Sequence, residues 1–297
     1  MRGKVLAAAL AVAVLAGPAA ADGVRDRLVV STDWLAKRLG ERELVILQVG
    51  DKAGYEAGHI PGARLLTLQD IAAPMGGERL TLEMPDAETL RGKLEALGIS
   101  DRSRIVVVPT REGVQSATRV VFTLDAAGLG GRTVLLDGGT MAWSAEGRPL
   151  SKDEPAPAAG KLSAFKLKPL IVDADFVRKH ISAPGYAIVD ARAPDFYSGA
   201  RPGGPPQKPH KAGHIAGAKS VPFSAVTTAD LKLASPEDIA AKFKAAGVKK
   251  GDTVIAYCHV GQQATATLFA ARTLGINALL YDGSFEEWSR LDGPVEK

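Results

Sequence analysis

The 297 residues are 46% hydrophobic and 24% charged, with a formal net charge of +4; this suits about two soluble globular domains and excludes a chain disordered by composition. The charge falls to +2 once Arg2 and Lys4 are set aside, and no dense Lys/Arg run is interleaved with aromatics, so nucleic acid is not an expected partner. Cys258 is the one cysteine, which excludes an internal disulfide.

In chain order, Arg2 and Lys4 precede an apolar run from Val5 to Gly17, and Ala19 and Ala21 give the small-residue spacing of a signal-peptidase site. The run is too short to span a bilayer comfortably. Residues 1–21 therefore read as a cleaved signal peptide. The mature chain then starts at Asp22 in a periplasmic or secreted location, with no membrane attachment after cleavage.

The remainder repeats itself. AGHIPGA at Ala57–Ala63 returns as AGHIAGA at Ala212–Ala218, and Asp137-Gly138 with Trp143-Ser144 returns as Asp282-Gly283 with Trp288-Ser289. In residues 22–150, apolar runs at Leu44–Val49, Arg104–Val108 and Thr133–Leu136 alternate with helical stretches at Asp86–Leu97 and from Gln115. In residues 170–297, apolar runs at Tyr186–Val189, Thr253–Tyr257 and Ala278–Tyr281 alternate with helical stretches at Pro236–Ala246 and Ala264–Leu274, the last stopped by Gly275. Runs of four to six rich in Val, Ile and Leu predict strands buried on both faces. Two α/β domains follow, each a mostly parallel sheet flanked by helices. Residues 151–169, with Pro155, Pro157 and Gly160, read as a linker, and Ala200–Gly213 as a Pro/Gly-rich loop.

Cys258 falls at the C-terminal end of a predicted strand, just before a predicted helix. Ligands of open α/β sheets bind outside the carboxyl ends of strands, and the unpaired N–H groups of a helix start favour negative charge, a thiolate included. Gly261 allows the loop to bend so that the amides of residues 259 to 263 converge on the sulfur. A free thiol is a liability in an oxidising compartment, so its retention points to chemistry rather than packing.

Cys-x-x-Gly between strand and helix, with His-Ile-x-Gly-Ala before it and Asp-Gly-x-x-x-x-Trp after it, resembles the rhodanese family over essentially the whole mature chain, in two copies. The resemblance implies a tandem thiosulfate or 3-mercaptopyruvate sulfurtransferase with an inactive first domain and a catalytic second one. It implies Cys258 as persulfide carrier and Arg192, of Asp190-Ala191-Arg192, as the residue that binds the anionic donor. Asp190, Asp282 and Ser284 are expected to support the site. The loop residues His259, Val260, Gly261, Gln262 and Gln263 are expected to hold the donor and the anionic sulfur. No metal or organic cofactor is implied. Aligned on Gly113 and Gly261, Thr110 stands where Cys258 does, and threonine cannot form a persulfide.

Two departures bear on the donor. Thiosulfate enzymes of the family read Cys-Arg-Lys-Gly-Val-Thr and mercaptopyruvate enzymes Cys-Gly-Ser-Gly-Val-Thr, where this chain has Cys-His-Val-Gly-Gln-Gln. Phe196 stands where many relatives place a second arginine. Thiosulfate is the expected donor, drawn by Arg192 and a partly charged His259, and cyanide or another thiophile the expected acceptor. Mercaptopyruvate is the alternative donor, and a persulfide carrier serving a protein acceptor the alternative role. A phosphatase of the related cysteine type is disfavoured, because its longer loop ends in an arginine and Ala264 stands there. His59 and His214 read as structural, Trp34, Trp143 and Trp288 as core, and Lys208, His210 and Lys211 as a basic cluster in a solvated loop, with a mobile lid that attracts anions as the alternative for residues 200–213. The His210–His214 spacing lies on no predicted helix, so metal binding is not expected.

Overall fold

The structure, a computed structural model, describes residues 18–156 and 158–297. Residues 1–17 of the expected signal peptide, and Pro157 of the expected linker, lie outside the described residues. The first repeat runs α1 (Pro18–Leu28), β1 (Val29–Val30), α2 (Thr32–Ala36), β2 (Leu44–Val49), α3 (Lys52–Ala57), β3 (Ala63–Leu66), α4 (Ala87–Ala96), β4 (Arg104–Val108), α5 (Val114–Ala126), β5 (Thr133–Leu136) and α6 (Gly139–Ala145). The second runs β6 (Ile171–Val172), α7 (Ala174–His180), β7 (Tyr186–Asp190), α8 (Pro194–Tyr197), β8 (His214–Ile215), β9 (Lys219–Ser220), α9 (Pro236–Ala245), β10 (Thr253–Tyr257), α10 (Gln263–Thr273), β11 (Asn277–Tyr281), α11 (Ser284–Arg290) and β12 (Val295–Glu296).

Each repeat builds a five-stranded sheet, in order β1-β5-β4-β2-β3 and β6-β11-β10-β7-β9, and β12 with β8 forms a small antiparallel pair. Every pairing inside the two large sheets is parallel. The central strands are apolar at successive positions because both faces are covered. In β10, Val254 and Ala256 face α9 and α10, and Ile255 and Tyr257 face α7 and α11. Helices start where the sequence supplies an acceptor for their free N–H groups: the Asp86 side chain takes Thr89 N for α4, and Ser235 takes Asp238 N for α9, with Pro236 at the first helical position. No helix among the described residues is long and apolar enough to cross a membrane.

The two repeats pack directly against each other. Helices α5 and α10 lie against each other, with Phe122 of α5 buried in the core of the second repeat and Phe269 of α10 buried in that of the first. Helix α1 reinforces it, Arg25 donating to Ala234 O at 2.9 Å. The segment between the repeats is strapped down rather than free. Ser151 and His59 exchange backbone hydrogen bonds of 2.8 and 3.0 Å, Gly160 N donates to Glu95 O at 2.7 Å, and Leu162 is buried. Trp143 and Trp288 are core residues as expected. Trp34, in α2, packs against the core of the first repeat but is only half-buried, lying beneath the guanidinium groups of Arg38, 4.2 Å from the ring centroid, and Arg104, 5.4 Å away.

Candidate active site

Cys258 is fully buried directly after β10. It continues the Val254–Ala256 face, so its side chain packs on the α10 side of the sheet. The loop after it is held by its carbonyls. Phe285 N donates to Cys258 O at 3.0 Å and Glu286 N to His259 O at 3.1 Å, so the free donors of the start of α11 are spent on the loop. A peptide plane points its C=O and the following N–H in opposite directions. Anchoring those two carbonyls on α11 therefore turns the N–H groups of His259 and Val260 the other way. The N–H groups of residues 259 to 262 donate to no group among the described residues, which leaves them free for an anion. Cys258 N is not one of them, because it donates to Ser284 Oγ at 3.2 Å, and that hydroxyl donates on to Tyr281 O at 2.9 Å.

Behind the loop lies a buried ion pair. Arg192 is 1% exposed and Asp190 0%. Nε of Arg192 donates to Asp190 Oδ1 at 3.0 Å, and Nη2 to Asp190 Oδ2 at 2.5 Å and to Gly213 O at 2.7 Å. The guanidinium lies 3.9 Å from the Phe285 ring centroid. Tyr257 OH donates to Asp190 Oδ2 at 2.7 Å and accepts from Ile215 N at 3.0 Å, tying the carboxylate to the AGHIAGA segment. Burial, then the Asp190 charge, push the Tyr257 phenol well above its ordinary range, so it is a permanent donor. Arg192 is thus held rigidly, with Nη1 left without a partner among the described residues.

The other expected site residues divide. Gly261 has φ +75° and is buried, with its carbonyl turned toward the first repeat, to Arg119 Nη1 at 3.2 Å. Val260 is half-buried in the same loop. Gln262 sends its side chain to Ser116 Oγ at 2.9 Å, away from the thiol, so only its backbone N–H can serve an anion. Gln263 opens α10, and its Oε1 is buried with no partner among the described residues. Asp282 accepts Met84 N at 3.0 Å and pairs with Arg119 at 2.5 Å.

Two expectations are corrected. His259 was expected to be partly charged; burial first, then the positive charges of Arg192 and a protonated His210, lower its pKa to about 4, so it is neutral at pH 7. The loop 200–213 was expected to be solvated around His210. Instead His210 is 8% exposed, its ring centroid 6.0 Å from that of His259 and 6.3 Å from that of Phe285. Gly203 fits so tightly that a Cβ there would lie 2.6 Å from His259 Nδ1. The loop covers His259, and the Nδ1 atoms of His259 and of the loop's own His210 are buried with no partner among the described residues. Arg201 of the same loop stacks 4.0 Å from the centroid of Phe196, whose ring meets His259 edge-on at 4.4 Å. His59 and His214 are structural as expected. Each is stacked on a tyrosine, Tyr55 and Tyr197, with centroids 3.8 Å apart, and bonded to that tyrosine's carbonyl.

The first repeat has a different counterpart to Cys258 than the glycine alignment gives. Thr140 N donates to Pro109 O at 3.0 Å as Phe285 N does to Cys258 O. Gln48 pairs with Val108 as Asp190 pairs with Tyr257. Pro109, not Thr110, therefore occupies the thiol's place, because the loop before Gly113 is one residue longer. By the same register Gly50 stands for Arg192. With glycine in the place of Arg192, an open cavity of about 620 Å³ lies there, lined by Gln48, Gly50, Thr110, Arg111 and Glu112.

The sequence reading missed Tyr257 and Phe285 as partners of the ion pair, and Arg119, Gly203 and His210 as parts of the site's walls. Arg119 carried one signal, a lone charged residue inside the helical stretch Val114–Leu124.

Comparison with known proteins agrees with this architecture. The rhodanese-like domain matches twice, at residues 31–146 and 173–291. A thiosulfate sulfurtransferase of Azotobacter vinelandii is 31% identical over 91% of this chain and 97% of its own. The sulfur carrier protein TtuD of Thermus thermophilus is 29% identical over 91% and 96%. A Pseudomonas aeruginosa protein named "Probable 3-mercaptopyruvate sulfurtransferase" is 32% identical over 88% and 94%. Two parallel-sheet repeats, one of them carrying a thiol at a strand end, define the class as a tandem sulfurtransferase, and the chain belongs to the rhodanese-like domain family.

Proposed function

We propose that this protein moves a sulfane sulfur from thiosulfate to cyanide or another thiophile by double displacement at Cys258. One observation carries the reading: the only thiol of the chain is buried beside a loop whose N–H groups, 259 to 262, have no partner among the described residues. The Cys258 thiolate attacks the outer sulfur of thiosulfate. The S–S bond of thiosulfate breaks, and its electron pair leaves on sulfite. The anionic persulfide on Cys258 is held by the amides of the loop, charge-assisted bonds that are among the stronger hydrogen bonds. Cyanide then attacks the terminal sulfur, thiocyanate departs, and the electron pair returns to Cys258 as thiolate.

Arg192 supplies a hydrogen-bond donor for the anion, since Nη1 has no partner among the described residues, and Asp190 with Tyr257 keeps the guanidinium in place while balancing its charge. His259 is neutral and acts as a wall and a hydrogen-bonding group. Ser284 and Asp282 support the loop. The division of labour follows the sequence: residues 22–150 a scaffold, 151–169 a connection, 170–297 the catalytic domain. Residues 1–21 act as an export signal, giving a periplasmic or secreted enzyme, which N-terminal sequencing of the mature protein checks.

Mercaptopyruvate is the second candidate donor, favoured by the lost charge at His259, since a monoanion needs fewer countercharges than thiosulfate. Transfer to a protein acceptor is the alternative role, and the name of the Thermus thermophilus relative supports it. The deciding experiment is mass spectrometry of the mature protein after thiosulfate, beside Cys258→Ser. A gain of one sulfur on Cys258 that cyanide removes as thiocyanate is the expected result. A gain with mercaptopyruvate alone moves the donor. A persulfide passed to no small acceptor moves the role to a carrier, and no gain with either donor defeats the enzyme reading.

A further inference from the structure

We infer that Arg119, which belongs to the repeat without a thiol, is a positioning residue for the Cys258 loop. This rests on the reading of Cys258 as the reactive thiol and adds what aims the cradle around it.

Arg119 projects from α5 into the boundary between the repeats and is 1% exposed. Its Nη2 donates to Leu82 O at 2.6 Å. Its Nη1 donates to Asp282 Oδ1 at 2.5 Å and to Gly261 O at 3.2 Å. Asp282 in turn accepts Met84 N at 3.0 Å, so the first repeat holds this carboxylate from two sides. The fit leaves no room at Gly261. A Cβ there would lie 2.8 Å from Asp282 Oδ1 and 2.9 Å from Arg119 Nη1, at a φ of +75° that side chains avoid. Two neighbouring contacts grip the same stretch: Gln262 Nε2 on Ser116 Oγ at 2.9 Å and Thr265 Oγ1 against Thr118 Oγ1 at 3.1 Å.

The consequence follows from peptide geometry. The N–H groups of His259 and Val260 are aimed by α11, which holds the carbonyls before them. The carbonyl before Gln262 is that of Gly261, and it is held by Arg119, 142 positions away in sequence. Since C=O and the next N–H point oppositely, the bond to Arg119 turns the Gln262 N–H back into the loop. Pairing with Asp282 balances the charge of Arg119, so its contribution is direction rather than positive field. The repeat that cannot do the chemistry thus completes the anion cradle of the one that can. This gives a physical reason why the catalytic repeat is not used alone in this chain.

The test compares Arg119→Met and Arg119→Lys with the wild-type protein in single-turnover sulfur loading from thiosulfate and in alkylation of Cys258 by iodoacetamide across pH. We expect the loading rate of Arg119→Met to fall about 10²-fold, the loss typical of a misplaced site, with the donor KM changed little. The alkylation profile should move about 1 pH unit toward alkaline pH, as loss of a hydrogen bond to a thiolate predicts. Arg119→Lys, which keeps one donor, should lie between. Mere loosening of the interface would change access, scaling alkylation at every pH without moving the profile. A folded Arg119→Met protein whose profile and loading rate match wild type would overturn the inference. Should Arg119→Met not fold, Arg119→Lys and Arg119→Gln carry the same comparison. If wild type alkylates but takes no sulfur from thiosulfate, the donor reading fails, and the position of the alkylation profile alone decides the role of Arg119.

Discussion

Pro109 stands in the first repeat where Cys258 stands in the second: each follows the central strand of its sheet, and each gives its carbonyl to a backbone N–H at the start of the last helix of its repeat at 3.0 Å. Duplication has kept the backbone and exchanged the chemistry. The exchange extends to Gly50 in place of Arg192 and Gln48 in place of Asp190, so the first repeat lacks the thiol and the ion pair together.

That relationship makes a direct prediction. Cys258→Ser should take up no sulfur. The double variant Pro109→Cys with Cys258→Ser should remain at least about 10³-fold below wild type, as expected when a nucleophile lacks its surrounding machinery. Persulfide mass spectrometry with thiosulfate checks both, and loading on residue 109 would sink the argument.

The buried pair of Asp190 and Arg192 should behave as a unit. Asp190→Asn leaves a 1%-exposed guanidinium without its carboxylate and should cost about 3–5 kcal/mol in urea unfolding. Adding Arg192→Met should recover part of that loss, because the uncompensated charge is gone. The double variant should still load sulfur poorly, separating stability from chemistry in one series.

His259 and His210 set a pH dependence of stability. Burial, with Arg192 next among the causes for His259, lowers the pKa of His259 to about 4, and burial, opposed by Glu286, lowers that of His210. A depressed pKa means that the unfolded chain takes up the proton first. Their contribution is therefore fully present above pH ~6.5, the unfolded value, and is lost as pH falls toward 4. Urea midpoints should drop between pH 7 and pH 5, and the drop should be smaller in His259→Leu. An equal drop in both proteins would contradict the assignment.

Gly203 tests the loop that covers His259. A Cβ at this position would lie 2.6 Å from His259 Nδ1 and 3.3 Å from His210 Nδ1, neither at the end of a long flexible chain. Gly203→Ala should displace the loop and open the thiol. Iodoacetamide should then modify Cys258 several-fold faster at every pH, at a stability loss of about 1–3 kcal/mol. Unchanged alkylation would mean that the loop does not cover the thiol in solution.

Much of this was readable before any coordinates. Both repeats, the three central strands and two main helices of each, and the place of Cys258 follow from apolar runs, Gly stops and the paired AGHI and Asp-Gly segments, all of which are local, whereas the two-residue edge strands and the short helices carry too few residues to show a period. The ion pair was half visible, since Asp190-Ala191-Arg192 is contiguous, but its third member, Tyr257, lies 67 positions from Asp190. Thr110 was misplaced because aligning on glycines fixes the end of a loop and not its length, whereas strand pairing fixes the start. His210 was misjudged because Pro and Gly around it describe a loop and say nothing of what the loop lies on.

The sequence by itself determined the duplication, the α/β class and the single thiol at a strand end, because each is written within a few neighbouring residues. Only the tertiary structure decided that Pro109 is the counterpart of the thiol, that His259 is neutral, that residues 200–213 cover His259 and that Arg119 reaches Gly261 across the boundary. Each of these depends on which distant groups exclude water together, and burial and charge pairing between residues tens to more than a hundred positions apart arise only when the chain has folded.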